Sequence, residues 1–374
     1  MMNRIKLYTI GLFLVFLSLS QLKGQVVFEN GSLTDVLQKA KQEKKMVFMD
    51  CYTSWCGPCK VMMKEVFSRE DVGTFMNSRF VCYKKDMEQG NGKELAKTYQ
   101  VTVYPTFLIL DTEGKMTHRM VGGMKAEEFL KNIENGIGEN SLHTFSLRYM
   151  KGERDPGFVY QYIEMLSAAY MQNDMKKVLH EYWESLRDEE KCGKANWPLV
   201  KRFVYDIKSS EYQYLVDHKP SFDATVGKNV VDEKIYKDLY PLIINHGSDM
   251  IFKNRPEDSE ALQAYRQLIE KTAIQDQENL LIWVDYAQAF VDNQLSKALK
   301  IYQKEFSNRD SDTRLSATLQ LNGMLINKGD ARLCEQGMKA IQKTMKECEW
   351  SEDNPMFKVM MEGLKKKFSV PEKR

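Results

Sequence analysis

The sequence of 374 residues predicts an α/β domain, a mixed sheet flanked by helices, followed by an all-α domain of repeated helices. Three observations predict this fold class. Residues 25–140 alternate between strand-like and helix-like segments, and after about residue 141 the strand signals fade while helical periodicity continues. In addition, two cysteines spaced two residues apart follow the first strong strand signal. We therefore expect an N-terminal segment over residues 1–24, an α/β domain over 25–140 and a helical domain over 141–374.

A short basic and apolar segment opens the chain. Arg4 and Lys6 precede an apolar run of 13 residues, Leu7–Leu19, and Gly24 supplies a small residue at the expected cleavage position. A membrane anchor is the alternative, but about 20 apolar residues are needed to span a bilayer. Residues 1–24 are therefore predicted to be a cleaved signal peptide, which indicates an exported protein, periplasmic in a bacterium.

The charge balance and the cysteine count exclude two classes of protein. Without residues 1–24 the chain has 51 basic and 52 acidic residues, which gives no electrostatic basis for binding nucleic acid. Seven cysteines are an odd and sparse set for an exported protein, unlike the cysteines of a disulfide scaffold. At least one thiol must therefore stay unpaired or pair with another chain.

The first half of the α/β domain is predicted to alternate helices and strands. Ser32 and Asp35 have the spacing of a capping box, which predicts a helix to about Lys44. The apolar run Met46–Cys51 predicts a buried strand. A helical pattern of apolar residues follows it, at Val61, Met62, Val66 and Phe67. A second strand is predicted at Phe80–Lys85.

The second half of this domain is predicted to form a hairpin closed by a helix. A helical segment at about Lys93–Tyr99 precedes the strand Thr106–Leu110, and the turn at 111–114 leads to a strand at Lys115–Val121. Gly122-Gly123 breaks the chain before a final helix. The apolar face of this helix is formed by Phe129, Leu130, Ile133 and Ile137. This order of elements predicts a mixed sheet covered by helices.

The segment Trp55-Cys56-Gly57-Pro58-Cys59-Lys60 indicates redox chemistry. It joins a strand to a helix, so Cys56 is expected at a helix N-terminus, where unpaired N–H groups and the helix dipole favour a thiolate. Because the thiolate is the nucleophilic form of cysteine, Cys56 is predicted to be reactive near neutral pH. Cys59 lies one turn later, on the same side of the helix and within disulfide reach. Pro58 is tolerated in a first helical turn.

Half of a zinc site is the alternative role for a Cys-x-x-Cys pair. Structural zinc takes four ligands, and the sequence has no second paired motif to complete them. The histidines are scattered, at His118, His143, His180, His218 and His246. Phosphate loops, dinucleotide fingerprints and Ser/His/Asp arrangements do not stand out. Neither a metal nor an organic cofactor is therefore predicted.

Residues 46–137 resemble a thioredoxin fold, close to the exported thioredoxin-like thiol–disulfide oxidoreductases. The resemblance rests on the Trp55–Lys60 motif and on Asp50, six residues before Cys56. It also rests on Val103-Tyr104-Pro105-Thr106, where that family carries a cis proline beside the redox pair. The order of strands and helices agrees with the same family, so a thioredoxin fold is expected for this part of the chain.

The resemblance implies roles for six residues. Cys56 and Cys59 form a redox-active disulfide, and Asp50 exchanges protons with the resolving cysteine, Cys59. Asp50 also lies near the end of a buried strand, so desolvation is expected to raise its pKa; an exposed strand-end carboxylate is the alternative. Substrate-binding positions are implied at Trp55, Tyr104 and Pro105. Trp55 is interpreted as a lid over the disulfide, a packing residue, or both.

The other cysteines have no spacing that carries a mechanism. They are expected to be small core residues, at Cys51, Cys82, Cys192, Cys334 and Cys348. Cys51 and Cys82 fall on predicted strands, and alignment through Asp86 places Cys82 near Asp50. A regulatory third thiol is therefore the alternative for these two positions.

The helical domain contains a repeated pattern of four residues on one helix and two on the next. The first copy is Ile163, Leu166, Ser167, Tyr170, Val178 and Tyr182. The second is Trp283, Tyr286, Ala287, Phe290, Ala298 and Tyr302, and the third is Leu319, Asn322, Gly323, Ile326, Cys334 and Met338. The last two copies are 36 residues apart, so the domain resembles tetratricopeptide helix pairs. An unrelated helical bundle is the alternative, because any antiparallel helix pair spaces apolar residues similarly.

Together these features predict an enzyme that reduces protein disulfides outside the cytoplasm. Cys56 attacks a target disulfide, and Cys59 resolves the mixed disulfide. Gly57-Pro58 matches thioredoxin rather than strongly oxidising exported enzymes, which favours reduction, with electrons from a membrane thiol carrier. A disulfide oxidase or isomerase is one alternative. Another is an interaction scaffold whose binding is regulated by the redox pair, with a protein partner at the helical domain.

Overall fold

A computed structural model of the protein describes residues 24–252, 257–351 and 353–368. The predicted signal peptide lies outside the described residues except for Gly24. The chain forms two units, residues 1–186 and residues 187–374. Within the described ranges, no helix combines the length and apolar character needed to cross a membrane.

The first unit is built on a mixed five-stranded sheet. Its strands are β1 (Phe28–Glu29), β2 (Met46–Tyr52), β3 (Phe80–Asp86), β4 (Thr106–Leu110) and β5 (Met116–Val121). The order across the sheet is β1-β3-β2-β4-β5. β3 runs parallel to β1 and β2, whereas β4 is antiparallel to β2 and β5, which confirms the predicted mixed sheet. β1 was not predicted, because two residues are too few to show a strand pattern.

The described part of the first unit contains eight helices, some of which cover the two faces of the sheet. They are α1 (Leu33–Glu43), α2 (Gly57–Val61), α3 (Glu70–Arg79), α4 (Gly92–Thr98), α5 (Ala126–Ile137), α6 (Leu142–Met150), α7 (Pro156–Ala168) and α8 (Gln172–Ser185). A π-helical turn, Met62–Val66, follows α2. The predicted capping box is present, with the Ser32 and Asp35 side chains each accepting the other residue's N–H. Helices α6 to α8 fall within the first unit, and the predicted domain boundary after residue 140 stays a prediction.

Two apolar cores pack against the sheet, one on each face. On one face, Phe48 of β2 packs against Phe67, Phe107 and Phe129, with ring centroids 5.7–6.0 Å apart. The opposite face of β2 buries Val47, Met49 and Cys51 in a second core. Because β2 is a central strand covered on both faces, its sequence is apolar at nearly every position rather than at alternate positions. This burial determines the environment of Asp50.

Helix α5 differs from the prediction at its C-terminal end. Phe129 and Ile133 are buried and Leu130 is half-buried, as expected, but Ile137 is exposed. Gly136 takes the inward position instead, where an added Cβ would lie 2.6 Å from the His118 ring. The predicted apolar face was therefore wrong at Ile137, since the last turn packs through a glycine rather than a large side chain.

The second unit is entirely helical where it is described, as predicted. Its helices are α9 (Asp188–Lys191), α10 (Trp197–Phe203), α11 (Ser210–Asp217), α12 (Lys219–Val226), α13 (Lys228–Phe252), α14 (Glu257–Thr272), α15 (Gln277–Val291), α16 (Leu295–Glu305), α17 (Ser311–Lys328), α18 (Ala331–Glu347) and α19 (Pro355–Phe368). Helix pairs with short connections dominate this unit.

The repeated pattern fits the helices in one copy and fails in part in the others. All six residues of the second copy, on α15 and α16, are buried. In the third copy Leu319 of α17 is exposed although Asn322 is buried. The large apolar side chains that α17 buries are instead Leu321, Met324 and Leu325. In the first copy Tyr170 is exposed just beyond the end of α7. A tetratricopeptide-like arrangement therefore stays a prediction.

Candidate active site

Cys56 and Cys59 form a disulfide at the start of a helix. Their Cα atoms lie 5.4 Å apart, and Cys56 is the N-cap residue of α2. The N–H of Cys59 donates to Cys56 Sγ at 3.1 Å, and the N–H of Cys56 donates to the Thr53 carbonyl at 3.2 Å. The predicted helix N-terminus and disulfide reach are confirmed. After reduction, the same N–H group and helix end favour a Cys56 thiolate.

The two sulfurs are covered, and the tryptophan beside them is exposed. Cys56 exposes 2% of its surface and Cys59 4%, whereas Trp55 exposes 66%. The Trp55 indole N–H donates to the Glu88 carboxylate at 2.9 Å, and its ring meets the Tyr104 ring edge-on at 6.1 Å. Trp55 is therefore held at the surface beside Cys56 and does not belong to either core. Glu88 was missed, because a loop glutamate after β3 carries no sequence signal for this contact.

The Tyr104–Pro105 peptide bond is cis, as the resemblance implied. Pro105 is buried directly before β4, and its carbonyl accepts the N–H of Gly122 at 2.9 Å. Tyr104 is half-buried, and its ring is the one that the Trp55 ring contacts. The structure thus brings Trp55 and Tyr104 into contact, with Pro105 next in the chain. Their role in binding substrate stays a prediction.

Asp50 is a buried carboxyl group on the central strand. It exposes 2% of its surface, and within the described part of the chain its Oδ1 has no hydrogen-bond partner. Burial raises the pKa of Asp50 to about 7, and the positive charge of Lys84 works against this shift. The expected desolvation is therefore confirmed, and an exposed carboxylate is excluded. With a pKa near neutrality, this group both accepts and donates a proton under physiological conditions.

A cavity of about 360 Å³ connects Asp50 with the redox pair. Cys59 lines this cavity and Cys56 does not, so the carboxyl group shares the cavity with the second cysteine of the motif. The remaining lining residues are Tyr52, Thr53, Ser54, Lys60, Met63, Lys64 and Lys84. The parallel register of β2 and β3 places Lys84 directly beside Asp50. The positions of Lys84 and Thr53 at this cavity were not predicted, because a single sequence does not determine strand register or loop packing.

Replacing Lys84 by methionine is expected to raise the pKa of Asp50 further. The ammonium group is the charge that lowers this pKa, so its removal leaves desolvation unopposed. The matched control is Lys85→Met, because Lys85 is the next residue of β3 and points to the other face of the sheet, opposite Cys51. Carboxyl ¹³C NMR across pH 5–9 measures the Asp50 pKa in the Lys84→Met and Lys85→Met variants. Equal Asp50 titration midpoints in Lys84→Met and the wild type would contradict this assignment.

The remaining cysteines lie apart from this cavity. Cys82 stands opposite Phe48, and Lys84 rather than Cys82 stands opposite Asp50. Cys51 faces the other core, and burial raises the pKa of both the Cys51 and Cys82 thiols. Such buried, protonated thiols are poor nucleophiles, which favours the packing role over a regulatory third thiol. Cys192 and Cys334 are also free and buried, and Cys348 is free and half-buried.

Potential metal ligands do not converge in the described ranges. Within residues 24–252, 257–351 and 353–368, no group of three His, Cys, Asp or Glu side chains is placed to hold a metal ion.

Known proteins share this domain. The family model described as Thioredoxin-like domain matches residues 33–137. Thioredoxin H2-1 of Oryza sativa is 40% identical over 104 residues, which are 28% of this chain and 69% of that protein. Thiol:disulfide interchange protein DsbD 2 of Pseudomonas aeruginosa is 30% identical over 107 residues, 28% of this chain and 18% of that protein. The solution structure of a candidate disulphide-isomerase from Bacteroides thetaiotaomicron is 41% identical, covers 30% of this chain and 94% of its own, and has a TM-score of 0.29.

The fold and the Cys56–Cys59 disulfide define a class, the proteins with a thioredoxin-like domain. The matched region covers 44–58% of the chloroplastic thioredoxins of Oryza sativa and Arabidopsis thaliana to which the chain is similar. Through residues 33–137 the chain belongs to the thioredoxin-like family.

Proposed function

We propose that the protein reduces disulfide bonds in other proteins by dithiol–disulfide exchange. One observation carries this proposal: the Cys56–Cys59 disulfide begins a helix, and its second sulfur shares a cavity with a carboxyl group whose pKa is near neutrality. The first feature favours a nucleophilic thiolate, and the second supplies an acid–base group for the resolving thiol. Structural disulfides need neither.

The reaction proceeds in two exchanges. The Cys56 thiolate attacks one sulfur of a target disulfide, which forms a mixed disulfide and releases one target thiolate. Cys59 gives its proton to the Asp50 carboxylate, and the resulting thiolate attacks Cys56 Sγ. The Cys56–Cys59 bond forms, the second target thiolate leaves, and it takes the proton from Asp50. The first target thiolate takes its proton from the solvent, into which Cys56 released one on ionising. The target thus gains two electrons and two protons, and the protein dithiol becomes a disulfide.

The direction of exchange is proposed to be reduction of the target. Gly57-Pro58 separates the cysteines as in thioredoxin, whose reduction potential is about −270 mV, whereas strongly oxidising exported enzymes of the DsbA type lie near −120 mV. Equilibration of the purified protein with glutathione or dithiothreitol buffers measures the potential directly. A value within about 30 mV of thioredoxin's is expected. A value near that of DsbA would overturn the reductase proposal in favour of the oxidase or isomerase alternative.

An exported, periplasmic location is proposed for this reductase. The basic and apolar segment over residues 1–24 supports export, and the similarity to a thiol:disulfide interchange protein supports a thiol carrier as the electron donor. Fractionation of the native host, followed by N-terminal sequencing, tests the location. A mature chain that begins at Gln25 in the periplasmic fraction is expected, and an uncut chain in the cytosol would contradict the proposal.

A redox-regulated interaction scaffold is the second candidate function. The favouring observation is the helix pair α15–α16, whose six repeat positions are all buried, as tetratricopeptide-like pairs require. In this candidate the helical unit binds a protein partner and the disulfide controls that binding. Insulin reduction with dithiothreitol separates the two functions. The reductase accelerates insulin precipitation, whereas a scaffold leaves the rate unchanged although both thiols titrate.

A further inference from the structure

Thr53 is a buried loop residue between β2 and the redox motif. It exposes 1% of its surface, and its carbonyl accepts the N–H of Cys56 at 3.2 Å. Its hydroxyl Oγ1 has no hydrogen-bond partner among the described residues. A threonine hydroxyl is both a donor and an acceptor, and burying one without a partner is unfavourable. The position therefore calls for a partner that is not a protein atom.

The same cavity contains a second buried oxygen of this kind. Asp50 Oδ1 also lacks a partner in the described chain, and Asp50, Thr53 and Cys59 all line the cavity of about 360 Å³. A water molecule occupies about 30 Å³ in the liquid and is held in a protein by two to four polar groups. The space and the two oxygens meet both conditions. Cys59 supplies a third polar group at the same cavity.

We propose that Thr53 is a positioning residue for proton transfer, whose hydroxyl and Asp50 Oδ1 together hold a water molecule that relays the proton between Cys59 and Asp50. This inference rests on the proposed disulfide exchange. It assigns a role to a residue outside the cysteine pair, the buried carboxylate and the cis proline. Ser54 and Lys60 line the same cavity but are exposed, so neither offers a buried anchor for the water.

The relay balances in protons and electrons. In the resolving step the S–H bond of Cys59 breaks, its proton passes to the water, and a water proton passes to Asp50 Oδ1. The Cys59 sulfur keeps the electron pair and uses it to attack Cys56 Sγ. The Thr53 hydroxyl stays neutral throughout, donating to or accepting from the water as the proton moves. No oxidant or reductant other than the target disulfide takes part.

The test compares Thr53→Val, which removes the hydroxyl at nearly constant volume, with Thr53→Ser, which retains it. Rapid quenching of a single turnover measures resolution of the mixed disulfide as a function of pH. Thr53→Val is expected to slow resolution about tenfold at pH 7, a part of the 10²–10⁴-fold that general acid–base catalysis supplies. The pH midpoint of resolution in Thr53→Val is expected to move upward, because loss of the water removes a hydrogen-bond donor from the Asp50 carboxylate. Thr53→Ser is expected to restore both.

The matched control is Thr117→Val. Thr117 is a half-buried threonine of β5 whose hydroxyl already donates to the Ile109 carbonyl, away from the cavity. Wild-type resolution is expected for this variant. The inference is overturned if Thr53→Val resolves at the wild-type rate, if it is slowed equally at every pH, or if Thr53→Ser is as slow as Thr53→Val. If the wild type itself releases no target thiols, the proposed disulfide exchange fails instead.

Discussion

Replacement of Cys56 by serine is expected to abolish disulfide reduction, with a fall in turnover of about 10³-fold or more. A hydroxyl stays protonated at neutral pH and does not displace a sulfur, so the first exchange has no nucleophile. The helix N-terminus that favours a thiolate at Cys56 does not compensate for this loss, because it cannot ionise a serine. The rate of insulin reduction with dithiothreitol as donor measures the effect.

Two further variants isolate the role of Cys56 from a general loss of thiols. Cys59→Ser keeps the nucleophile and is expected to accumulate a mixed disulfide through Cys56, which non-reducing electrophoresis and mass spectrometry detect. Cys348→Ser removes a half-buried free thiol outside the first unit and is expected to leave the rate unchanged. Accumulation of mixed disulfides through any other cysteine would contradict the assignment of Cys56.

Replacement of Asp50 by alanine is expected to stabilise the protein at pH 8 while slowing resolution about 10- to 100-fold at pH 7. The Asp50 pKa is about 7 in the folded protein, whereas an unperturbed aspartate has a pKa of 3.8. Between these pH values the folded state holds a proton that the unfolded state has lost, so the free energy of unfolding falls as pH rises. The loss of stability caused by the ionised, buried Asp50 is absent below about pH 4 and complete above about pH 7.

The size of this effect follows from the difference between the folded and unfolded pKa values of Asp50. A tenfold change in the proton-binding constant corresponds to about 1.36 kcal/mol, which gives a penalty of about 4 kcal/mol at pH 8 for the ionised, buried carboxylate. Removal of side-chain atoms offsets part of the gain, so Asp50→Ala is expected to be about 2–4 kcal/mol more stable than the wild type at pH 8. Urea unfolding at pH 4 and pH 8 measures it. A stability difference between variant and wild type that is equal at both pH values would contradict the buried-carboxylate account.

Local patterns in the sequence predicted the elements on which the site is built. The strand before the motif, the helix N-terminus at Cys56 and the burial of Asp50 follow from short runs of neighbouring residues. Such features can be predicted from sequence because strand burial and helix capping depend on a few adjacent side chains. The disulfide and the cis Tyr104–Pro105 bond followed from the resemblance rather than from the residues alone.

The parts that could not be predicted depend on contacts between distant segments. Lys84 stands beside Asp50 because β2 and β3 pair in parallel in one register, and a shift of one residue would place Lys85 there instead. The contact between Trp55 and Glu88 joins two loops that are 33 residues apart. The exposure of Leu319 and Ile137 depends on which helices pack against α17 and α5. A single sequence specifies the apolar spacing of such helices but not their rotation.

Alkylation of the fully reduced protein by iodoacetamide, followed cysteine by cysteine with mass spectrometry across pH 5–9, tests the central claim most directly. An unperturbed thiol titrates near pH 8.5, whereas a cysteine at a helix N-terminus titrates at about 7.5 or below. We expect Cys56 to react with a midpoint in that lower range and about tenfold faster at pH 7 than Cys59. A Cys56 midpoint at or above about 8.5, with a rate no greater than that of an ordinary free thiol, would contradict the account.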